Sequence, residues 1–156
     1  MLHYLVSIQC YIRHGVCAVS LLLFSCATVS DDRLNRGLFT IAVFGDAVYA
    51  GQAFPLGDRG SFRLEEFGDG DGFCTGTYVY QEYPRGRASF ECSNGFAGSV
   101  RLQGDEALSG RGRGVHDGTR IEVVYGYGLE QTNSMLDLPG GREIRVSGDE
   151  LILSTP

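Results

Sequence analysis

His116 lies in the run Gly114-Val115-His116-Asp117-Gly118 and is the one histidine beyond residue 14. Histidine beside aspartate supplies a base and an acid. Neighbours along a chain, however, do not reach the geometry in which a carboxylate orients an imidazole toward a nucleophile. The Asp-Gly that ends the run reads as a hairpin turn. Gly68-Asp69-Gly70-Asp71-Gly72 spaces two carboxylates as a calcium loop would. Ca²⁺ takes roughly six or more oxygens, and Phe73 holds the next ligand position, so a flexible turn is expected. Arg111-Gly112-Arg113-Gly114 matches a fragment of an RGG segment. All 13 cationic residues are arginine, against 19 acidic ones, and the formal charge is −6. That balance points to a strand or loop with arginines in water, and to no nucleic acid as partner. No Gly-x-Ser-x-Gly elbow, His-Glu-x-x-His pair or phosphate loop occurs, and no feature selects a carboxylate pair for glycoside cleavage. The expectation is a chain that is not an enzyme, with no metal and no cofactor.

Cysteine offers the next chemistry. Of five cysteines, Cys10, Cys17 and Cys26 lie in the first 26 residues, which leaves Cys74 and Cys92. In an oxidising compartment two such cysteines are expected to pair. Two free thiols or half of a metal site are the other readings, and His116 is the only further nitrogen ligand for a zinc ion that wants about four. The intervening residues test the pairing. Tyr83-Pro84-Arg85-Gly86 is a turn signal, and folding about it sets Cys74 opposite Cys92, Gly76 opposite Phe90 and Tyr78 opposite Ala88. One face then carries Cys74, Gly76, Tyr78, Tyr80, Ala88, Phe90 and Cys92. The other carries Thr75, Thr77, Val79, Arg87, Ser89 and Glu91. Such segregation is what a half-buried antiparallel pair needs, and a slip of one residue destroys it.

The tip of this hairpin gathers Tyr80, Tyr83, Arg85 and Arg87 around Pro84. Tyrosine and arginine bring large contact area and forked hydrogen bonds, the usual material of binding hot spots. A stapled hairpin also lowers the ordering cost of binding. The other reading is that Tyr80 covers the end of the core while the arginines solvate the tip.

Elements that position these residues follow from short alternating or apolar segments broken by turns. They are Leu38 to Phe44, Ala47 to Phe54, Ser61 to Phe67, the Cys74–Cys92 hairpin, Gly98 to Leu102 and Ile121 to Tyr125. Arg142 to Val146 and Leu151 to Ser154 then flank the compact turn Ser147-Gly148-Asp149-Glu150. No segment after Cys26 shows a helical period with caps. With 23 glycines and 43% hydrophobic residues, the sequence predicts an all-β domain. Its form is a small antiparallel barrel or sandwich of about eight strands, with one disulfide-stapled hairpin. Phe62, Tyr78, Phe90, Ile121, Val123 and Leu151 are the expected core.

The amino-terminal segment reads as an address. Arg13-His14 precedes the apolar run from Val16 to Ser25, which is shorter than the roughly 20 residues of a spanning helix and fits a secretory signal. Leu23-Phe24-Ser25-Cys26 resembles the lipobox of bacterial lipoproteins. That resemblance implies acylation of Cys26, cleavage before it, and a protein anchored by lipid in the bacterial cell envelope, at the outer membrane or in the periplasm. An ordinary cleaved signal and an uncleaved anchor are the remaining readings. The domains expected are a signal peptide at 1–25, a lipid-attachment cysteine and tether at 26–37, and a β domain at 38–156. Phe90-Glu91-Cys92-Ser93-Asn94-Gly95 is similar to the opening of membrane-bound lysozyme-inhibitor lipoproteins, small disulfide-bearing barrels. That similarity implies a Ser-Gly inhibitory loop, here Ser109-Gly110. The function expected is structural or partner-binding, with a protein partner in the cell envelope. The alternative is a module that inhibits a cell-wall hydrolase such as lysozyme.

Overall fold

The computed structural model describes residues 37–68 and 71–155. Arg13, the Leu23–Cys26 motif, the tether to residue 36, and Asp69 lie outside the described residues. Eight antiparallel strands close into a barrel in chain order: β1 (Leu38–Phe44), β2 (Ala47–Leu56), β3 (Arg59–Glu66), β4 (Phe73–Glu82), β5 (Arg85–Cys92), β6 (Ala97–Glu106), β7 (Ser109–His116) and β8 (Thr119–Tyr125). Every neighbour is a hairpin partner except the closing pair, in which β1 meets β8 from Thr40↔Tyr125 to Phe44↔Ile121. Closure leaves no exposed sheet edge in the barrel.

The strands alternate as the period of two requires. Ala42, Phe44, Tyr49, Leu64, Cys74, Phe90, Val100, Leu102 and Ile121 form the buried interior, with Phe62, Tyr78 and Val123 packed partly buried against it. Phe44 stacks on Phe90 at 4.8 Å between centroids, and Phe96 tilts against both at 5.7 Å. Side chains fill the lumen so well that the cavity left inside is about 40 Å³. The filling depends on glycine. Phe62 and Phe90 lie over inward-facing glycines of the adjacent strand, at Gly76 and Gly98 respectively, where a β-carbon would meet the ring. Barrels use such ring-over-glycine pairs to combine bulk with close strand approach.

The Cys74–Cys92 disulfide is present, and the hairpin register is Cys74↔Cys92, Gly76↔Phe90 and Tyr78↔Ala88, as the segregation of its faces requires. The His116-Asp117-Gly118 turn joins β7 to β8, with positive φ at Asp117 (49°) and Gly118 (80°).

Two departures from the sequence reading concern the outer layer. A helix, α1 (Leu129–Met135), follows the barrel. It is seven residues long, too short to display a period, and it is held by tertiary contact. The Thr132 hydroxyl donates to the Gly128 carbonyl at 3.0 Å. The Asn133 amide donates to the Ile144 carbonyl at 2.8 Å while its oxygen accepts the Ile144 N–H at 2.9 Å. Next, β9 (Glu143–Ser147) and β10 (Glu150–Ser154) form a separate two-stranded sheet and not part of the barrel. Leu151 accordingly packs in a second cluster on the outside of the wall, with Ile41, Val43, Val48, Val124, Leu136, Leu138 and Ile144. This layer explains why β1 is apolar at every position but Thr40: both of its faces are buried. The Arg111-Gly112-Arg113-Gly114 fragment takes the strand form of its sequence reading: β7 spans Ser109–His116, with Arg111 and Arg113 facing outward.

Candidate functional site

One end of the barrel is a recess of about 410 Å³. It is bounded by the β2–β3, β4–β5 and β6–β7 turns and by Leu38 at the start of β1. Tyr78 and Tyr80 reach it from β4, Tyr83 from the turn after β4, and Tyr125 from the last residue of β8. Tyr78, Tyr80 and Tyr125 also line the lumen, so the phenols stand between the apolar interior and water.

Each tyrosine lies over a glycine. In register, Tyr78 faces Gly60, Tyr80 faces Gly86 and Tyr125 faces Gly110, while the Tyr83 ring covers Gly104. A β-carbon at Gly86 would stand 2.9 Å from the Tyr80 ring. The rings also hold one another: Tyr80 packs edge-on to Tyr78 at 6.2 Å and tilted to Tyr83 at 5.8 Å. The hydroxyls of Tyr80 and Tyr125 are hydrogen-bonded to each other. Burial, with the neighbouring Tyr80, pushes the Tyr78 phenol up to about 12. Burial is also the main cause that raises Tyr80 and Tyr125 above the ordinary phenol value; the Tyr80 hydroxyl adds to the rise at Tyr125. The phenols are therefore neutral donors and acceptors at physiological pH, placed around an apolar floor. Asp58, Gln81 and Glu106 add polar groups at the rim.

The hairpin-tip residues are divided by the wall. Tyr80 and Tyr83 belong to the recess, whereas Arg85 and Arg87 point outward from β5 and do not line it. Alternation along a strand dictates this, because Tyr80 pairs with inward Gly86, between the two arginines. Arg85 is instead held near Glu82 at 3.3 Å, with its side chain 76% exposed. Ser109 opens β7 and is 5% exposed; its hydroxyl is buried without a hydrogen-bond partner. It is not displayed on a loop. His116 sits at the opposite end, edge-on to Phe96 at 5.5 Å. Among the described residues, no group of three or more His, Cys, Asp and Glu side chains is placed to hold a metal ion.

Tyr125 is the functional candidate that sequence reasoning missed. Gly110, 15 positions away, pairs with it across the β7–β8 hairpin, but Tyr80 is 45 positions away and meets it only in the closed barrel. The one available signal was the glycine excess, which demanded bulky partners somewhere in the fold. No protein-family model, curated protein or solved structure matches the chain.

Proposed function

We propose that this protein is an exported, lipid-anchored binding module of the bacterial cell envelope that engages a protein partner through the tyrosine-lined end of its barrel. The recess carries this reading. Its volume of about 410 Å³ lies within the roughly 300–1,000 Å³ of ligand pockets, and its lining combines an apolar floor with a few fixed polar groups. Tyrosines held by ring contacts and mutual hydrogen bonds are rigid anchors that lose little conformational entropy on binding. A side chain or loop of the partner, apolar at its tip and hydrogen-bonding at its flanks, suits such a site.

The anchor rests on the resemblance of Leu23-Phe24-Ser25-Cys26 to a lipobox and on the apolar run before it. A tether from Cys26 ends at Leu38, which lines the recess. Eleven intervening residues reach at most about 40 Å, so the binding end stays close to the bilayer.

Two measurements test the reading. Intact mass of the protein from its native cells is expected to show a chain beginning at Cys26 with acyl groups; a full-length chain without them removes the anchor. Photocrosslinking from residue 83 in native membranes is expected to trap one protein. That protein, purified, is expected to bind the wild type and to lose about 2 kcal/mol or more of affinity to Tyr83→Ala, as an aromatic hot spot does. Equal affinity for the variant would remove the recess from the interface.

A further inference from the structure

We propose a second site, independent of the tyrosine recess: the outer wall bounded by Arg87, Arg101, Arg113 and Arg120 binds a compact, multiply phosphorylated anion. The register places Arg87 opposite Arg101 and Arg101 opposite Arg113, so three outward guanidinium stems stand side by side on β5, β6 and β7. Neighbouring strands are about 4.8 Å apart. Like charges directly opposed across a ladder are destabilising. Here two such oppositions occur in succession in a chain of formal charge −6.

The wall at this place is concave. A recess of about 580 Å³ lies among the four arginines, well within the range that ligands occupy. The β6–β7 ladder ends at the Arg101↔Arg113 pair, and small residues, Ser99 and Gly114, line the recess beyond that point. The one acidic group in it is Glu122, whose side chain is 6% exposed and which holds Arg113 at 3.2 Å and Arg120 at 2.7 Å. Glu122 thus fixes two cations and is spent on them. Arg120 also lies 3.7 Å from Asp137. Among the described residues, Arg87 and Arg101 form no ion pair. Four guanidinium groups against the buried Glu122 and the exposed Asp137 leave the recess with a surplus of two positive charges.

The spacing selects the ligand. An acidic strand presents one carboxylate per roughly 6.7 Å on a face, too sparse for arginines set one strand apart. A phosphate offers several acceptor oxygens at one centre and matches the planar fork of arginine. Linked or clustered phosphates therefore meet two or three of these side chains at once. The negative charge of the rest of the molecule opposes a long polyanion that would run off the patch, so the fitting ligand is compact.

Tripolyphosphate is the probe, titrated into the full chain by calorimetry at ionic strength held constant with NaCl. Saturable binding of one equivalent is expected, with a rise in Tm of several degrees. Arg101→Gln is expected to bind at least about tenfold more weakly, the loss of a charge-assisted contact. Without ligand it should melt no lower than the wild type, because it relieves like-charge repulsion. Arg87→Gln should repeat both effects, which keeps the test decisive if one variant folds poorly. Arg63→Gln, on β3 and outside the recess, should bind as the wild type does. Absence of saturable binding, or undiminished affinity in both Arg87→Gln and Arg101→Gln, overturns the proposal. Equal or tighter binding of a single-stranded RNA or an oligoaspartate peptide at the same residues also overturns it, in favour of a nucleic-acid or acidic-protein surface.

Discussion

Replacing Gly98 with alanine tests the ring-over-glycine packing of the interior most directly. The new methyl would stand 3.0 Å from Cζ and 3.3 Å from Cε1 of Phe90, where carbon atoms favour about 3.5–4.0 Å. Phe90 has nowhere to withdraw: it is 7% exposed, stacked on Phe44 at 4.8 Å and tilted against Phe96 at 5.7 Å. Overpacking of this kind costs about 1–3 kcal/mol. Alanine recovers roughly 0.5–1 kcal/mol because it loses less backbone entropy than glycine in a strand. A net loss of up to about 2.5 kcal/mol is expected, read from urea unfolding with the disulfide intact and seen as a drop of up to about 10 °C in Tm. In a Phe90→Leu background the obstructing ring is gone. There Gly98→Ala should be neutral or slightly stabilising, which gives a double-mutant coupling of at least about 1 kcal/mol. Should Gly98→Ala change stability equally in the wild-type and Phe90→Leu backgrounds, the steric account of the glycines is wrong.

Reduction, or the Cys74→Ser/Cys92→Ser pair, opens a loop of 18 residues and should lower stability by about 3 kcal/mol by urea titration. A loss below about 1 kcal/mol would mean that the hairpin is already ordered in the unfolded chain. The phenols of Tyr78, Tyr80 and Tyr125 are acids raised in the folded state. Their contribution is complete below the unfolded value near 10 and declines as pH climbs through about 12 for Tyr78. Phenolate absorbance should therefore stay incomplete at about pH 11 and finish together with loss of the β-sheet circular dichroism; full ionisation of an intact barrel at about pH 10.5 would refute it. Asn133→Ala removes both hydrogen bonds to Ile144 and leaves a buried backbone pair unmet, a cost of about 1–3 kcal/mol. Limited proteolysis should then cut first within 143–154 while the barrel persists. Cleavage no faster than in the wild type would show that apolar contacts alone hold the layer.

The hairpin was legible in the sequence because two independent constraints, the cysteine pair and the apolar face, agree on one register. β1 and β8 were legible as short segments rich in apolar residues, and the Asp117-Gly118 turn from its residue types. The helix α1 was not, since a seven-residue segment owes its form to contacts with Ile144 and the barrel wall and not to its own propensity. The mouth was half legible. Tyr80 and Tyr83 stood out near Pro84, but Tyr125 joins them only through closure of β1 on β8. Arg85 and Arg87 look adjacent to those tyrosines on paper, yet the alternation of side chains sends them through to the other side of the wall. The arginine row has the same character: residues 87, 101 and 113 are evenly spread in the chain, and only two successive hairpin registers align them.

The closing seam between β1 and β8 also sets the order in which the molecule can assemble. Seven of the eight barrel contacts are between consecutive strands and form locally, but Thr40 must wait for Tyr125. A polypeptide delivered from its amino terminus therefore carries β1 with one bare hydrogen-bonding edge until nearly the whole barrel has emerged. Folding of this domain becomes a late, all-or-none event, and a nascent chain halted before residue 125 is the form most exposed to aberrant pairing with its neighbours.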